Sequence, residues 1–168
     1  MTVATPSQRF DAPWSRALKT LSAIATFTIG VPALYQFFNG RLVMSGVLFA
    51  LLALPMALTV RRYEVVPREL RIRRLFWDTR WPLDGLTTAT VQPYAMSQSM
   101  RTWGIGGVFS VSGHFVNFPL GRYRAFVTDP ARTVILRLTK GVLVVSPDRP
   151  EDFVAAITSA AAKGSQRP

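Results

Sequence analysis

Seven arginines fall between positions 61 and 80: Arg61, Arg62, Arg68, Arg71, Arg73, Arg74 and Arg80. Only three acids, Glu64, Glu69 and Asp78, interrupt them. Guanidinium groups at this density bind anions, and beside a membrane each basic side chain is worth about 1 kcal/mol against anionic headgroups. A second stretch with chemistry to offer is Arg101-Thr102-Trp103, followed by Gly104, Gly106 and Gly107. Glycine-rich backbone can turn its N–H groups toward an anion. No Gly-Lys-Ser/Thr follows, so this is not a P-loop, and no strand–turn–helix context makes it a dinucleotide site. The candidates for lipid or partner contact are therefore Arg61, Arg62, Arg71, Arg73, Arg74, Arg101 and Trp103. Each has a plainer alternative. Arg61 and Arg62 can simply mark membrane topology, Arg71, Arg73 and Arg74 can decorate a solvated strand face, and Trp103 can plug the end of a barrel.

Residues for catalysis are sparse. His114 is the only histidine; a metal site needs three or four converging ligands, and Asp84 and Asp129 are not at ligand spacing from it. Ser110 and Ser112 are close to His114 in sequence, but nothing supplies the orienting acid of a triad. The absence of cysteine removes disulfides, thiolate metal sites and cysteine nucleophiles together. The reading is a non-enzyme with no cofactor and no metal.

Charge points to an anionic partner. The chain carries 20 Lys+Arg against nine Asp+Glu, a net +11, and residues 61–168 hold 16 of the basic and eight of the acidic residues. Nucleic acid is the usual alternative for such an excess, but the basic residues crowd one region and no recognition motif accompanies them.

That region follows two uncharged apolar runs, Thr20 to Phe38 and Leu42 to Val60, separated by Asn39, Gly40 and Arg41. About 20 apolar residues of helix cross a bilayer, and Asn-Gly marks a tight return. The spacing predicts a transmembrane helical hairpin over 18–60. Gly30, Pro32, Gly46 and Pro55 lie within it, with no acidic or basic residue in either run. Arg9, Arg16 and Lys19 precede the hairpin and Arg61 and Arg62 follow it, so positive charge places both ends in the cytoplasm. A signal peptide is the competing reading of the first run, weakened by its length and by the lack of a small-residue cleavage site. Residues 1–17, with Pro6 and Pro13, read as disordered, with Trp14 as an interfacial anchor.

Beyond Arg62 the texture is that of short strands. Leu70 and Ile72 alternate with Arg71 and Arg73, the mark of a half-buried strand. Further strands are expected at 63–66, 77–81, 87–91, 114–119, 123–128, 133–138 and 142–146, with 92–113 as a long irregular loop. Phe109, Phe115, Phe118 and Phe126 are expected in the core. Asp148 and Glu151 form a capping-box pattern, Pro150 suits a first turn, and Phe153, Val154, Ile157 and Ala161 make an apolar stripe. A helix should close the domain (61–162), leaving a tail at 163–168.

Trp103-Gly104-Ile105-Gly106-Gly107, Arg124 to Asp129, and Ser146-Pro147-Asp148-Arg149-Pro150-Glu151-Asp152-Phe153 resemble a bacterial PH-like (pleckstrin-homology-like) domain family over roughly residues 61–160, and such domains often follow membrane helices. The resemblance implies an α+β fold: a bent antiparallel β-barrel of about seven strands, capped by a C-terminal helix. It implies no catalytic residues, and fold alone does not supply a ligand. The expectation is a multi-pass protein of the bacterial inner membrane whose cytoplasmic domain binds anionic lipid headgroups or a protein partner. The alternative is a structural subunit of a larger membrane complex, assembled through the hairpin.

Overall fold

The computed structural model describes residues 7–105 and 108–165; Gly106, Gly107 and the last residues of the expected tail lie outside the described residues. The chain begins with β1 (Gln8–Asp11), then α1 (Arg16–Phe38) and α2 (Leu42–Ala57). Strands β2 (Arg62–Val66), β3 (Glu69–Arg73), β4 (Asp78–Pro82), β5 (Leu86–Val91), β6 (Met100–Ile105), β7 (Val111–Asn117) and β8 (Gly121–Val127) follow. A 3₁₀ turn at Pro130–Arg132, strands β9 (Val134–Leu138) and β10 (Gly141–Val145), and α3 (Pro150–Ser165) complete it.

The first correction falls at the N-terminus. Gln8–Asp11 is not disordered but pairs antiparallel with β2, Gln8 opposite Val65 and Asp11 opposite Arg62. Its one apolar side chain, Phe10, is buried and meets Phe153 edge-on at 5.2 Å. One buried ring and a ladder of backbone bonds are enough to hold four residues that read as polar. Ser15 then caps α1 by accepting from the Leu18 N–H at 3.1 Å.

Helix α1, at 23 residues, spans about 34 Å and is long and apolar enough to cross a membrane. Helix α2 is shorter than the 42–60 run: it ends at Ala57, and Leu58 is its C-cap. Its 16 residues give about 24 Å. Thr59 to Arg61 are released to lead into β2, and Val60 is drawn into the core of the domain.

The strands form two sheets and not a closed barrel: a four-stranded one, β1-β2-β3-β4, and a six-stranded one, β5-β9-β10-β8-β7-β6. Nor is it purely antiparallel, since β10 runs parallel to β8. Two apolar layers explain the arrangement. Leu70 and Ile72 of β3, Phe126 of β8, Val134, Leu136 and Leu138 of β9, and Phe153 and Ile157 of α3 fill the space between sheets and helix. Ala125 and Val127, Ile135 and Val144 point the other way into a second cluster with Phe115 and Tyr123. Strands buried on both faces read as continuous apolar runs, as residues 134–136 of β9 and 143–145 of β10 do.

The expected loop at 92–113 contains β6. Gly104 faces Gly113 across β6–β7, and a Cβ on Gly104 would sit 2.5 Å from the Ser112 carbonyl oxygen, so the close approach of the two strands excludes any side chain there. Phe109, Phe115 and Phe126 are buried as expected, but Phe118 at the β7–β8 turn is fully exposed. Asp148 does not cap α3; its carboxylate lies beside Arg149, and Pro150 occupies the first helical position.

Candidate functional site

The base of the hairpin is held on both sides. Pairing of β1 with β2 puts the residues entering α1 beside those leaving α2, and the Ala12 N–H donates to the Arg61 carbonyl at 3.1 Å. The Ser15 N–H donates to the Thr128 carbonyl at 3.1 Å, and the Asp148 N–H to the Asp11 carbonyl at 2.9 Å. Phe109, buried in the β6–β7 connection, donates its N–H to Ser22 Oγ of α1 at 2.9 Å, and its ring meets Trp14 at 6.1 Å. Close by, the Tyr63 hydroxyl donates to the Phe126 carbonyl at 2.6 Å and accepts from the Ser146 N–H at 3.2 Å. Burial pushes this phenol up to about 12, against the lowering effect of its bonds with Ser146. Ser146 Oγ in turn accepts from the N–H groups of Thr128 and Asp129. One polar node thus fastens β2 to β8 and β10 where the helices depart.

The arginine cluster lies on the four-stranded sheet, where much of its charge is already matched. Arg62 pairs with Asp11 (3.1 Å), Arg71 with Glu69 (3.0 Å), and Arg73 with Glu64 (2.9 Å) and Asp78 (3.4 Å). Arg68 and Arg80 pair with Asp84 and Glu69. Glu64 is buried, which favours its neutral form, but hydrogen bonds from Arg73, Ser7 and Arg9 and the charge of Arg73 outweigh this and hold it below the usual carboxylate range. Among the described residues Arg61 and Arg74 join no ion pair. Both sit at the hairpin end, because Arg73 lies opposite Arg62 and the Arg74 N–H closes the β3–β4 turn onto the Trp77 carbonyl at 3.1 Å. The Arg74 guanidinium stands 5.0 Å from the Phe126 ring and 5.8 Å from that of Trp77. Burial, and then the charge of Arg124, holds it below its ordinary value. Phe76 and Trp77 at the turn's tip are exposed.

Arg101 and Trp103 lie elsewhere, on the edge strand β6 of the six-stranded sheet. Trp103 plugs nothing: it is 78 % exposed. It stands opposite His114, which stands opposite Arg124, so β6, β7 and β8 present the three in a row. Trp81 comes from the other sheet to stack on Arg124 at 5.6 Å. Between the sheets lies a cleft of about 460 Å³ lined by Trp81, Trp103, His114, Arg122, Arg124 and Lys140 among others, with no carboxylate in its lining. Sequence reasoning passed over Arg122, Arg124 and Lys140. The i, i+2 spacing of Arg122 and Arg124 was a signal that both share a strand face, but only the fold brings Lys140 and Trp81 to them.

No group of three or more potential metal ligands is present among the described residues. A family model described as a bacterial PH domain matches residues 61–161, well over half of the chain. No curated protein and no solved structure matches.

Proposed function

The chain belongs to the bacterial PH domain family, and on that premise we propose that it is a membrane-anchored, non-enzymatic binding module. Its hairpin crosses the inner membrane twice. Both ends lie in the cytoplasm, and the domain sits against the bilayer and engages anionic headgroups or a protein partner there. The observation that carries this reading is the pairing of β1 with β2. The two helices are an insertion between neighbouring strands, so whatever side of a membrane holds one end of the hairpin holds the other. Charge supports the inward orientation: Arg9, Arg16, Lys19, Arg61 and Arg62 flank the base, and only Arg41 sits at the tip. The shorter α2 is accommodated by local thinning of the bilayer and by tilt of its longer partner. Contact with headgroups falls to Arg61 and Arg74, the members of the cluster not matched by an acid, with Phe76 and Trp77 beside them as interfacial side chains. Anchoring makes weak intrinsic affinity sufficient, because the tether supplies effective concentration.

The test uses a variant in which residues 16–57 are replaced by a short Gly-Ser linker. The main core cluster contains no side chain from that segment, so the domain retains its packing. Alkaline carbonate washing should leave the full chain in the membrane pellet and release the variant. The released domain should bind vesicles containing phosphatidylglycerol, less so as salt rises, and bind phosphatidylcholine vesicles clearly less. Equal binding to both would remove the headgroup reading and leave the protein partner; release of the full chain by carbonate would remove the anchor.

A further inference from the structure

Two groups of cations in this domain differ in how far acids match them. On the four-stranded sheet Arg62, Arg68, Arg71, Arg73 and Arg80 each have a carboxylate within 4 Å. In the cleft between the sheets Arg122, Arg124 and Lys140 have none among the described residues, and no acid lines the space. Arg74, next to that cleft, has a buried Nε with no hydrogen-bond partner and stacks on Phe126, the same ring that Arg124 approaches at 5.4 Å. Gathering guanidinium groups without counter-charge costs stability, and a protein that matches its arginines carefully on one sheet leaves them unmatched here. The walls are aromatic: Trp81 on one side and Trp103, largely exposed, on the other. Planar guanidinium forks suit phosphate oxygens, and indole faces suit the organic part that a phosphate ester carries.

The geometry points to this cleft as a binding site for a phosphate-bearing ligand, held by Arg122, Arg124 and Lys140 with Trp81 and Trp103 against its organic portion. The proposal deepens the reading of the domain as a binding module and rests on it. Thr128 docks the start of α1, and Arg124 and Arg122 lie four and six residues back along β8, about 13–20 Å from it along the strand at a rise of about 3.3 Å per residue, while Arg74 stands beside the Phe126 ring that Arg124 also approaches. The phosphate chemistry is common to a soluble ester and a lipid headgroup, and the experiment distinguishes the two sources.

The experiment is calorimetric titration of the full chain, in phosphatidylcholine nanodiscs, with inorganic pyrophosphate at low salt. Saturable binding is expected. Arg122→Gln and Lys140→Gln, both at exposed positions, should each weaken it about tenfold, as expected for loss of one charge-assisted hydrogen bond. Arg80→Gln and Arg68→Gln remove the same charge from the other sheet and should change it less than about twofold. Repeating the titration with phosphatidylglycerol in the nanodisc separates the sources: unchanged affinity supports a soluble ligand, and competition supports a headgroup supplying the same phosphate chemistry. Absence of saturable binding, or equal weakening by all four substitutions, would overturn the site. The titration reads the cleft whether or not the helices span the disc, so its failure and failure of the anchor are separable.

Discussion

If β1 pairs with β2, the length of whatever joins them must enter the stability of the domain. Consider variants in which residues 16–57 are replaced by flexible Gly-Ser linkers. The hairpin contributes nothing to the main core cluster, whereas Phe10, Ala12 and Val60, just outside it, belong to that cluster. The loss on excision is the bond from the Phe109 N–H to Ser22 Oγ, whereas Trp14, whose ring meets Phe109, is retained. Leaving that buried N–H without its partner costs about 1–3 kcal/mol, within the stability margin of about 5–15 kcal/mol typical of a domain. Closing a flexible loop costs about 0.6 kcal/mol per doubling of its length, so lengthening the linker from about four to about forty residues should cost about 2 kcal/mol. Urea unfolding followed by tryptophan fluorescence reads this directly, because Trp81 lies between the two sheets. The midpoint should fall steadily with the logarithm of linker length at constant slope against denaturant. A midpoint indifferent to linker length would mean that β1 does not pair with β2 in the folded domain, and the shared base of the hairpin would be lost with it.

Three further substitutions test other contacts of the domain. Tyr63→Phe keeps the ring but leaves the Phe126 carbonyl and the Ser146 N–H buried without their partner; it should cost about 2–4 kcal/mol in the linker-joined domain by urea unfolding. The Tyr63 phenol is pushed up to about 12 in the fold against about 10 in an unfolded chain. Stability should therefore hold below pH of about 10 and fall as pH rises from there toward 12, a loss that Tyr63→Phe removes from the alkaline limb. Glu64 is held below the usual carboxylate range, so its contribution is present at neutral pH and is lost as pH falls through and below that range; Glu64→Gln should flatten the acid limb, which a pH series of midpoints would register. Phe153→Ala empties a fully buried position in contact with Phe10 and Tyr63; it should cost about 3–5 kcal/mol, and hydrogen exchange should show β1 losing protection with it.

What could be read from the sequence was what depends on neighbours in the chain. Alternation of Leu70 and Ile72 with Arg71 and Arg73 located β3, and the stripe of Phe153 and Ile157 located α3, because each pattern reports one face of one element. Residues set by distant partners were not legible. Gln8–Asp11 has a single apolar side chain, and its partner strand lies beyond both helices. The parallel pairing of β10 with β8 has no local signature, and without it the six-stranded sheet reads as part of a barrel. The candidate site divides the same way. The arginine density was visible, but the matching of Arg71 and Arg73 by Glu69, Glu64 and Asp78 depends on cross-strand register. The cleft needed Trp81 and Arg124, from different sheets, to meet. Phe118 shows the limit from the other side: its place in an apolar segment suggested the core, yet the turn between β7 and β8 carries it into solvent.

The membrane-anchored reading of the domain depends on both ends of the apolar hairpin facing the same compartment as the domain. The chain contains no cysteine, so single cysteines report position without background. Asn39→Cys at the hairpin tip, Gln8→Cys in β1 and Ser159→Cys on α3 should be challenged in intact cells with a membrane-impermeant maleimide, before and after permeabilisation of the inner membrane. Labelling of Asn39→Cys from outside, with Gln8→Cys and Ser159→Cys protected together until the inner membrane is opened, would support the anchor. Labelling of Gln8→Cys and Ser159→Cys from opposite sides, or of all three from one side, would contradict it.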